Sequence, residues 1–262
     1  MPIWLIYSFS SVLLVLTAVA VFFFIFTRGA LILRSFGSSR DSAEHIYPIY
    51  SNMRLIKLID IQPLIAAILL FQYDKLVSMI TDEILKMNLH GKDALITSCA
   101  FGNVIPRVVS ACNEADVRKV FIVDIIKNEL VNARRKLTAY DKKIELLEEN
   151  ALQVGLADNS IDANIIFFLL HELPHDLKGA ALKEAVRTLA PGGKLFLAEF
   201  HRPAPWVLRT LSWTYFKVFE PLGLALWNTH DPLKQLEAIG GLTCQRRTVF
   251  FGNFQVIVAT KN

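Results

Sequence analysis

Residues 93–124 read DALITSCAFGNVIPRVVSACNEADVRKVFIVD: a β-rich run, a turn of small residues, a helix-like stretch and a second β-rich run. Strand over 94–98, helix over 104–114 and strand over 119–123 form a unit whose two strands must lie parallel, because a helix-length crossover joins them. The pattern repeats outward from it. Strands are predicted over 144–147, 163–169 and 194–200, with helices over 127–136 and 178–189. Two last β-like runs, 244–251 and 254–260, flank Gly252-Asn253, a hairpin signal that closes the sheet with an antiparallel pair. The fold class is α/β, a mostly parallel seven-stranded sheet with helices on both faces and a C-terminal antiparallel hairpin.

The chain has 262 residues, 53% of them hydrophobic and 20% charged, with a mean hydropathy of +0.39. That composition excludes disordered, collagen-like and coiled-coil classes and is too apolar for an ordinary soluble domain. The excess is concentrated at the N-terminus, since no charged residue precedes Arg28. Residues 3–26, IWLIYSFSSVLLVLTAVAVFFFIF, lack charge, Gly and Pro, and at about 1.5 Å per residue they exceed a bilayer core of about 30 Å. No basic residue precedes them, and Phe22-Phe23-Phe24 follows Ala18-Val19-Ala20, which argues for an uncleaved anchor over a signal peptide. A buried helical hairpin is the alternative. Arg28, Arg34 and Arg40 follow, so the catalytic body is expected on the cytoplasmic face of a bacterial inner membrane, or at the mitochondrial inner membrane in a eukaryote. The expected organisation is an anchor over 1–34, a linker and helical cap over 35–92, and the α/β domain over 93–262.

Other classes are disfavoured. A net charge of +4 with interspersed signs and no nucleic-acid module argue against a nucleic-acid partner. Cys99, Cys112 and Cys244 are odd in number and form no C-x-x-C pair, which indicates neither a disulfide framework nor a zinc knuckle. His171-Glu172-Leu173-Pro174-His175 matches H-E-x-x-H, yet a metalloprotease needs that motif on one continuous helix, and Pro174 opposes continuity.

In doubly wound sheets ligands bind beyond the C-terminal strand ends. The first strand runs into Ser98-Cys99-Ala100-Phe101-Gly102-Asn103, small enough for backbone to approach a ligand. The second ends at Asp124, 22 residues after Gly102, a spacing at which a carboxylate accepts hydrogen bonds from a nucleoside ribose; Asp124 can equally be a helix N-cap. Glu149-Asn150-Ala151 follow the third strand, His171 and Glu172 the fourth, and Glu199 and His201 the fifth.

This order of motifs resembles the class I S-adenosylmethionine-dependent methyltransferases, with their Rossmann-like fold, over about 93–262. The resemblance implies that the Ser98, Cys99, Ala100 and Gly102 loop faces the methionine part of the donor, that Asp124 binds ribose and that Asn150 and Ala151 lie by the adenine. Three features depart from it. Ile96 or Thr97 stands where an acidic residue is usual, Ser98 and Ala100 replace glycines, and Asn150 replaces an aspartate.

Later segments are more particular. FFLLHELP at 167–174, EFHRPAPW at 199–206, EPLGLALW at 220–227 and RRTVFFGNFQ at 246–255 resemble the RquA family of rhodoquinone biosynthesis, as does the helical region holding Tyr50 and Asp60. That resemblance implies conversion of ubiquinone to rhodoquinone, with S-adenosylmethionine as amino donor and Mn²⁺ assisting. Glu172, Glu199 and His201 are candidate metal ligands of the type manganese prefers. His171, Glu172, His201 and Tyr50 are candidate catalytic residues, either histidine being able to act as base. The alternatives are a methyltransferase acting on a quinone or other lipid, and an inactive binding protein of the same fold. Residues 206–227 are amphipathic and suit a lid lying on a bilayer, with Tyr50, Trp206, Trp213 and Tyr215 available to a flat ring.

Overall fold

The computed structural model describes residues 53–99, 101–138, 143–218 and 220–262, with eight helical positions between 7 and 21. Tyr50, Ala100 and most of the stretch 3–26 lie outside the described residues.

Three helices, α1 (Met53–Ile59), α2 (Gln62–Ile68) and α3 (Tyr73–Leu85), precede the sheet. Then follow β1 (Asp93–Thr97), α4 (Val104–Glu114), β2 (Lys119–Asp124), α5 (Lys127–Lys136), β3 (Ile144–Glu148) and β4 (Ile161–Phe167). The chain continues as α6 (His175–Thr188), β5 (Leu189–Phe200), α7 (Trp206–Val218), a 3-10 helix (Pro221–Trp227), α8 (Pro232–Ile239), β6 (Leu242–Val249) and β7 (Phe254–Lys261). The strand order is β3-β2-β1-β4-β5-β7-β6. The first five strands are parallel, and β7 runs antiparallel to both β5 and β6. This is the expected class I architecture, and the strand order reverses between β1 and β4.

Alternation along the strands divides the core. Ala94, Ile96, Ile122, Ile165, Phe196 and Val256 pack with Tyr73, Leu76, Ile80, Val104 and Val108 of α3 and α4. Leu95, Ile166, Leu195, Leu197 and Ile257 pack on the other face with Ala181, Leu182 and Ala185 of α6 and Leu236 of α8. Each such Val, Leu, Ile or Phe side chain contributes roughly 1.5–3 kcal/mol by leaving water.

Element edges differ from expectation where local chemistry intervenes. β5 begins at Leu189, which pairs with Ile161 before the register shifts near Gly193. A Cβ at Gly193 would lie 2.8 Å from the Ala190 carbonyl oxygen, so only glycine lets the strand turn there. α6 starts at His175 with extended Pro174 before it, because proline's ring disfavours continuing a helix through this point. The β6–β7 turn is wider than predicted, with Phe250 and Phe251 at φ of 50° and 54°.

Among the described residues no single helix is long and apolar enough to cross a membrane. α2 and α3 together would be, but they meet at 96°, and α3 buries Tyr73, Leu76, Val77, Ile80 and Ile84 in the core.

Candidate active site

Two polar clusters occupy the C-terminal edge of the parallel strands. The first lies beyond β1 and β2. Asp124 is buried; its Oδ2 accepts the Cys99 amide at 2.7 Å and the Ser98 hydroxyl at 3.5 Å, and its Oδ1 accepts the Ile126 amide at 2.8 Å. Burial raises its pKa, while these donors pull it back. Asp124 thus ties down the loop after β1. Ser98 stands at φ 77°, a left-handed conformation that costs a non-glycine residue of order 1 kcal/mol or more. The loop keeps a glycine's backbone shape without the glycine. Burial, with Asp124 beside it, holds the Cys99 thiol well above its usual range, so Cys99 offers its amide rather than a thiolate.

The cap completes this cluster, which sequence reading did not anticipate. The Gly102 amide donates to Asp60 Oδ1 at 2.5 Å, the Asn103 amide to Gln62 Oε1 at 3.1 Å and the Val104 amide to Tyr73 Oη at 2.6 Å. These are the orphan N–H groups at the start of α4, satisfied by side chains from the preceding helices. Asp60 also accepts from Asn132 Nδ2 at 2.9 Å and Lys136 Nζ at 2.8 Å. An acidic side chain therefore does reach this loop, from the cap and not from the end of β1. Gly102 is needed for that contact, since its Cβ would fall 2.6 Å from the Tyr73 hydroxyl. The one available sequence signal was an isolated aspartate between the apolar runs of a helical cap.

Asn150 sits beyond β3, where its Oδ1 accepts the Leu152 amide at 3.0 Å and closes a local turn. Ala151 packs against the second core cluster.

The second cluster lies beyond β4 and β5. Glu199 is fully buried. Its Oε1 accepts the Phe200 amide at 2.8 Å and His171 Nδ1 at 3.1 Å, and its Oε2 accepts the His171 amide at 3.2 Å. His171 Nε2 is 3.9 Å from Glu172. Burial by itself depresses the His171 pKa, but Glu199, with Glu172 and Glu220, overrides it and lifts the value to about 9. The imidazole is therefore protonated at neutral pH.

Aromatic rings enclose this cation. Phe200 meets His171 edge-on at 5.0 Å between centroids, Phe216 meets Phe200 at 4.9 Å and Trp227 meets Phe216 at 5.7 Å. Phe168 lies 6.1 Å from His171 and is held at φ 55°, a strained backbone of the kind found at functional sites. The 3-10 helix closes over the dyad at Gly223, where a Cβ would lie 2.6 Å from the Phe216 ring and 3.4 Å from His171 Cβ. Burial, with Glu220 and Glu172 nearby, raises the Tyr215 pKa, so its hydroxyl stays protonated.

Lys178 was not anticipated either. It is fully buried, donates to the carbonyls of Leu170 and Leu173 and so fixes the His171 to Leu173 turn. Burial lowers its pKa to about 8, against the pull of Glu199 and Glu172. Its sequence signal was a lysine on the buried stripe of α6, in line with Ala181, Leu182, Ala185 and Val186.

Two expectations are corrected. His201 does not join the dyad: its Nδ1–H donates to the Gly252 carbonyl at 2.7 Å and its Nε2 faces Arg246 at 3.4 Å. Burial lowers its pKa. Trp206 and Trp213 are 72% and 48% exposed, so they do not line the aromatic enclosure. As Pro174 leads one to expect, His171 and His175 share no helix, and His175 stacks on His230 at 5.4 Å.

Among the described residues no group of three or more His, Cys, Asp or Glu side chains is arranged to hold a metal. The expected ligands Glu172, Glu199 and His201 do not fit one as placed, because backbone amides and an imidazolium occupy the Glu199 oxygens and His201 faces a guanidinium. A nucleoside donor does fit the first cluster: Asp124 Oδ1 carries one amide donor and has room for a second.

The profile of the ubiE/COQ5 methyltransferase family matches residues 62–237. A demethylmenaquinone methyltransferase of Bacillus licheniformis is 31% identical over 132 residues, covering 50% of this chain and 55% of the relative. One from Bacillus cereus is 32% identical over 133 residues, with 50% and 54% covered. The chain thus spans about half the length of the curated relatives it matches. Among solved structures, an O-methyltransferase family protein from Burkholderia thailandensis superposes with a TM-score of 0.60 at 14% identity, covering 82% of this chain and 62% of that one. An S-adenosyl-L-methionine-dependent methyltransferase of Methanococcus maripaludis gives 0.55 at 14% identity, covering 86% and 98%.

Proposed function

The chain belongs to the ubiE/COQ5 methyltransferase family, and on that premise we propose that it is an S-adenosylmethionine-dependent transferase acting on the head group of a membrane quinone. The observation that carries this reading is the buried His171–Glu199 pair, walled by Phe168, Phe200, Phe216 and Trp227. Aromatic walls suit a flat ring, and an N–H⁺ beside them suits the oxygen of a quinone carbonyl.

The protonation state favours amino transfer. Addition of a nitrogen nucleophile to a quinone places negative charge on the carbonyl oxygen, which a fixed imidazolium stabilises; methylation of a quinol carbon calls instead for a base. S-adenosylmethionine, when bound, supplies the transferred group. In this reading a C–N bond forms at the ring carbon as its C–O bond to methoxy breaks. The methoxy takes a proton from the incoming nitrogen and leaves as methanol, and one water replaces the nitrogen on the donor's carbon. Glu199 holds His171 in position, and Lys178 holds the turn that carries it. No step is assigned to Mn²⁺, which the residues as placed do not fit. Methyl transfer is the second reading, favoured by the family and by the named activity of the Bacillus relatives.

The substrate class also supports attachment to a bilayer. Trp206, Val207, Leu211 and Trp213 of α7 and Phe251 at the hairpin tip are exposed, and the Ala204 amide donates to the Phe251 carbonyl at 2.9 Å, which joins the two elements. Lys217 lies 5.5 Å over the Trp213 ring, ready to meet anionic head groups. The described N-terminal positions Tyr7, Leu13, Leu14 and Val21 are exposed as well, in keeping with an anchor over 3–26.

The test is incubation of the full chain in detergent with S-adenosylmethionine and, in separate reactions, a short-chain ubiquinone or a short-chain quinol that has one unsubstituted ring carbon, each with and without Mn²⁺, followed by mass spectrometry. An amino-substituted quinone and methanol are expected. A methylated quinone alone would establish the second reading, and no quinone product would refute both.

A further inference from the structure

Glu129, on the first turn of α5, is an acid the chemistry above leaves unused. It is 2% exposed, and its Oε1 has no hydrogen-bond partner. A buried carboxyl oxygen in that state costs of order 1–3 kcal/mol, so its retention asks for a ligand.

The neighbours indicate which ligand. Three acidic side chains, Asp60, Asp124 and Glu129, gather at the end of β2. Asp60 is occupied by the Gly102 amide, Asn132 and Lys136. Asp124 Oδ2 takes two donors, from Cys99 and Ser98, and Oδ1 takes one, from Ile126. Asp124 can thus receive one further hydroxyl at Oδ1, whereas a ribose presents two. Glu129 begins the helix that follows Asp124, and it holds the open acceptor oxygen. Its carboxyl faces Asp124, Lys136 and Asp60, with Glu172 on the side of the second cluster; burial first, and then these acids against Lys136, raise its pKa to about 8.

We propose that Glu129 is a binding residue for the donor's adenosine, sharing the ribose diol with Asp124, one hydroxyl on Asp124 Oδ1 and the other on Glu129 Oε1. The assignment rests on the reading of this edge as the S-adenosylmethionine site. It also gives a reason for a carboxyl at this buried position, where an apolar side chain would fold at lower cost.

Isothermal titration of the full chain in detergent separates the two levels, using S-adenosylmethionine, S-adenosylhomocysteine and methylthioadenosine. Failure of the wild type to bind all three would refute the donor site itself. With wild-type binding in hand, Glu129→Ala should weaken all three ligands alike, by about tenfold, and Glu129→Gln, which keeps an acceptor oxygen, should stay within about threefold of wild type. Unchanged affinity in Glu129→Ala would overturn the assignment. So would a loss confined to the two ligands carrying the amino-acid tail, because Glu129 would then face the methionine end. Should the alanine variant not fold, deoxy analogues of methylthioadenosine lacking the 2′ or the 3′ hydroxyl decide on the wild type and Glu129→Gln. Each hydroxyl should be worth about tenfold to the wild type, and equal binding of either analogue and the parent would overturn the proposal.

Discussion

Replacing Glu199 by Gln tests the dyad most directly, because it removes the charge that keeps His171 protonated while nearly preserving volume. The rise of the His171 pKa from 6.5 to about 9 corresponds to roughly 3 kcal/mol in favour of the protonated folded form, at about 1.36 kcal/mol per factor of ten. Because the folded value is raised, this contribution is fully present below pH 6.5 and is lost as pH rises through about 9. At pH 7.5 a group with a pKa of about 9 is about 97% protonated. Without Glu199, burial dominates and pushes His171 below 6.5, leaving less than about 10% protonated. Glu199→Gln should therefore lower turnover at pH 7.5 by about tenfold or more and move the basic limb of the kcat/KM profile from near 9 to below 6.5. It should also cost about 3 kcal/mol of stability at pH 6, with a smaller loss at pH 9.5, and a further ~1–3 kcal/mol at both for an amide left without an acceptor. The assays are initial rates from pH 5.5 to 10 and urea denaturation of the detergent-solubilised chain at both pH values. A variant that keeps a basic limb near 9, or loses equal stability at pH 6 and 9.5, would refute the imidazolium.

Other perturbations address separate contacts. Asp60→Asn strips Lys136 of its buried partner and should cost about 3 kcal/mol, read as a lowered urea midpoint, with weaker S-adenosylmethionine binding by calorimetry because the loop after β1 loses its clamp. Gly223→Ala drives a methyl into the Phe216 ring, and the 3-10 helix must shift; a loss of 1–3 kcal/mol and a changed Trp227 emission are expected, and an unaltered spectrum would count against the close approach. Lys178→Met leaves the Leu170 and Leu173 carbonyls without their donor and should lower kcat/KM more than the melting temperature predicts. Trp206→Ser with Phe251→Ser should raise KM for a long-tailed quinone in anionic vesicles several-fold and leave KM for a short-chain analogue in detergent unchanged; equal effects on both would remove α7 and the hairpin tip from the membrane surface.

Strand and helix periods, the small-residue turn after β1 and the antiparallel hairpin were legible from residue order, because period-2 and period-3.6 burial are local properties of the chain. So were Asp124, His171 and Glu199 as strand-end residues, since side chains at the ends of parallel strands converge whatever the rest of the sequence does. Sequence reading could not decide which of these touch. His171 and His201 look equivalent along the chain, each at a strand end beside a glutamate, yet one is an imidazolium on Glu199 and the other a neutral ring against Arg246. That difference depends on β6 and β7, more than forty positions downstream of His201, folding back beside β5. Asp60 belongs to the donor loop only because the cap packs on the start of α4, and Lys178 reaches the turn that carries His171 only because α6 turns its buried stripe toward the sheet. Pairing of charges in a buried site is set by distances of a few ångströms between distant segments. Tertiary packing fixes those distances; the order of residues fixes only which groups are available to be brought together.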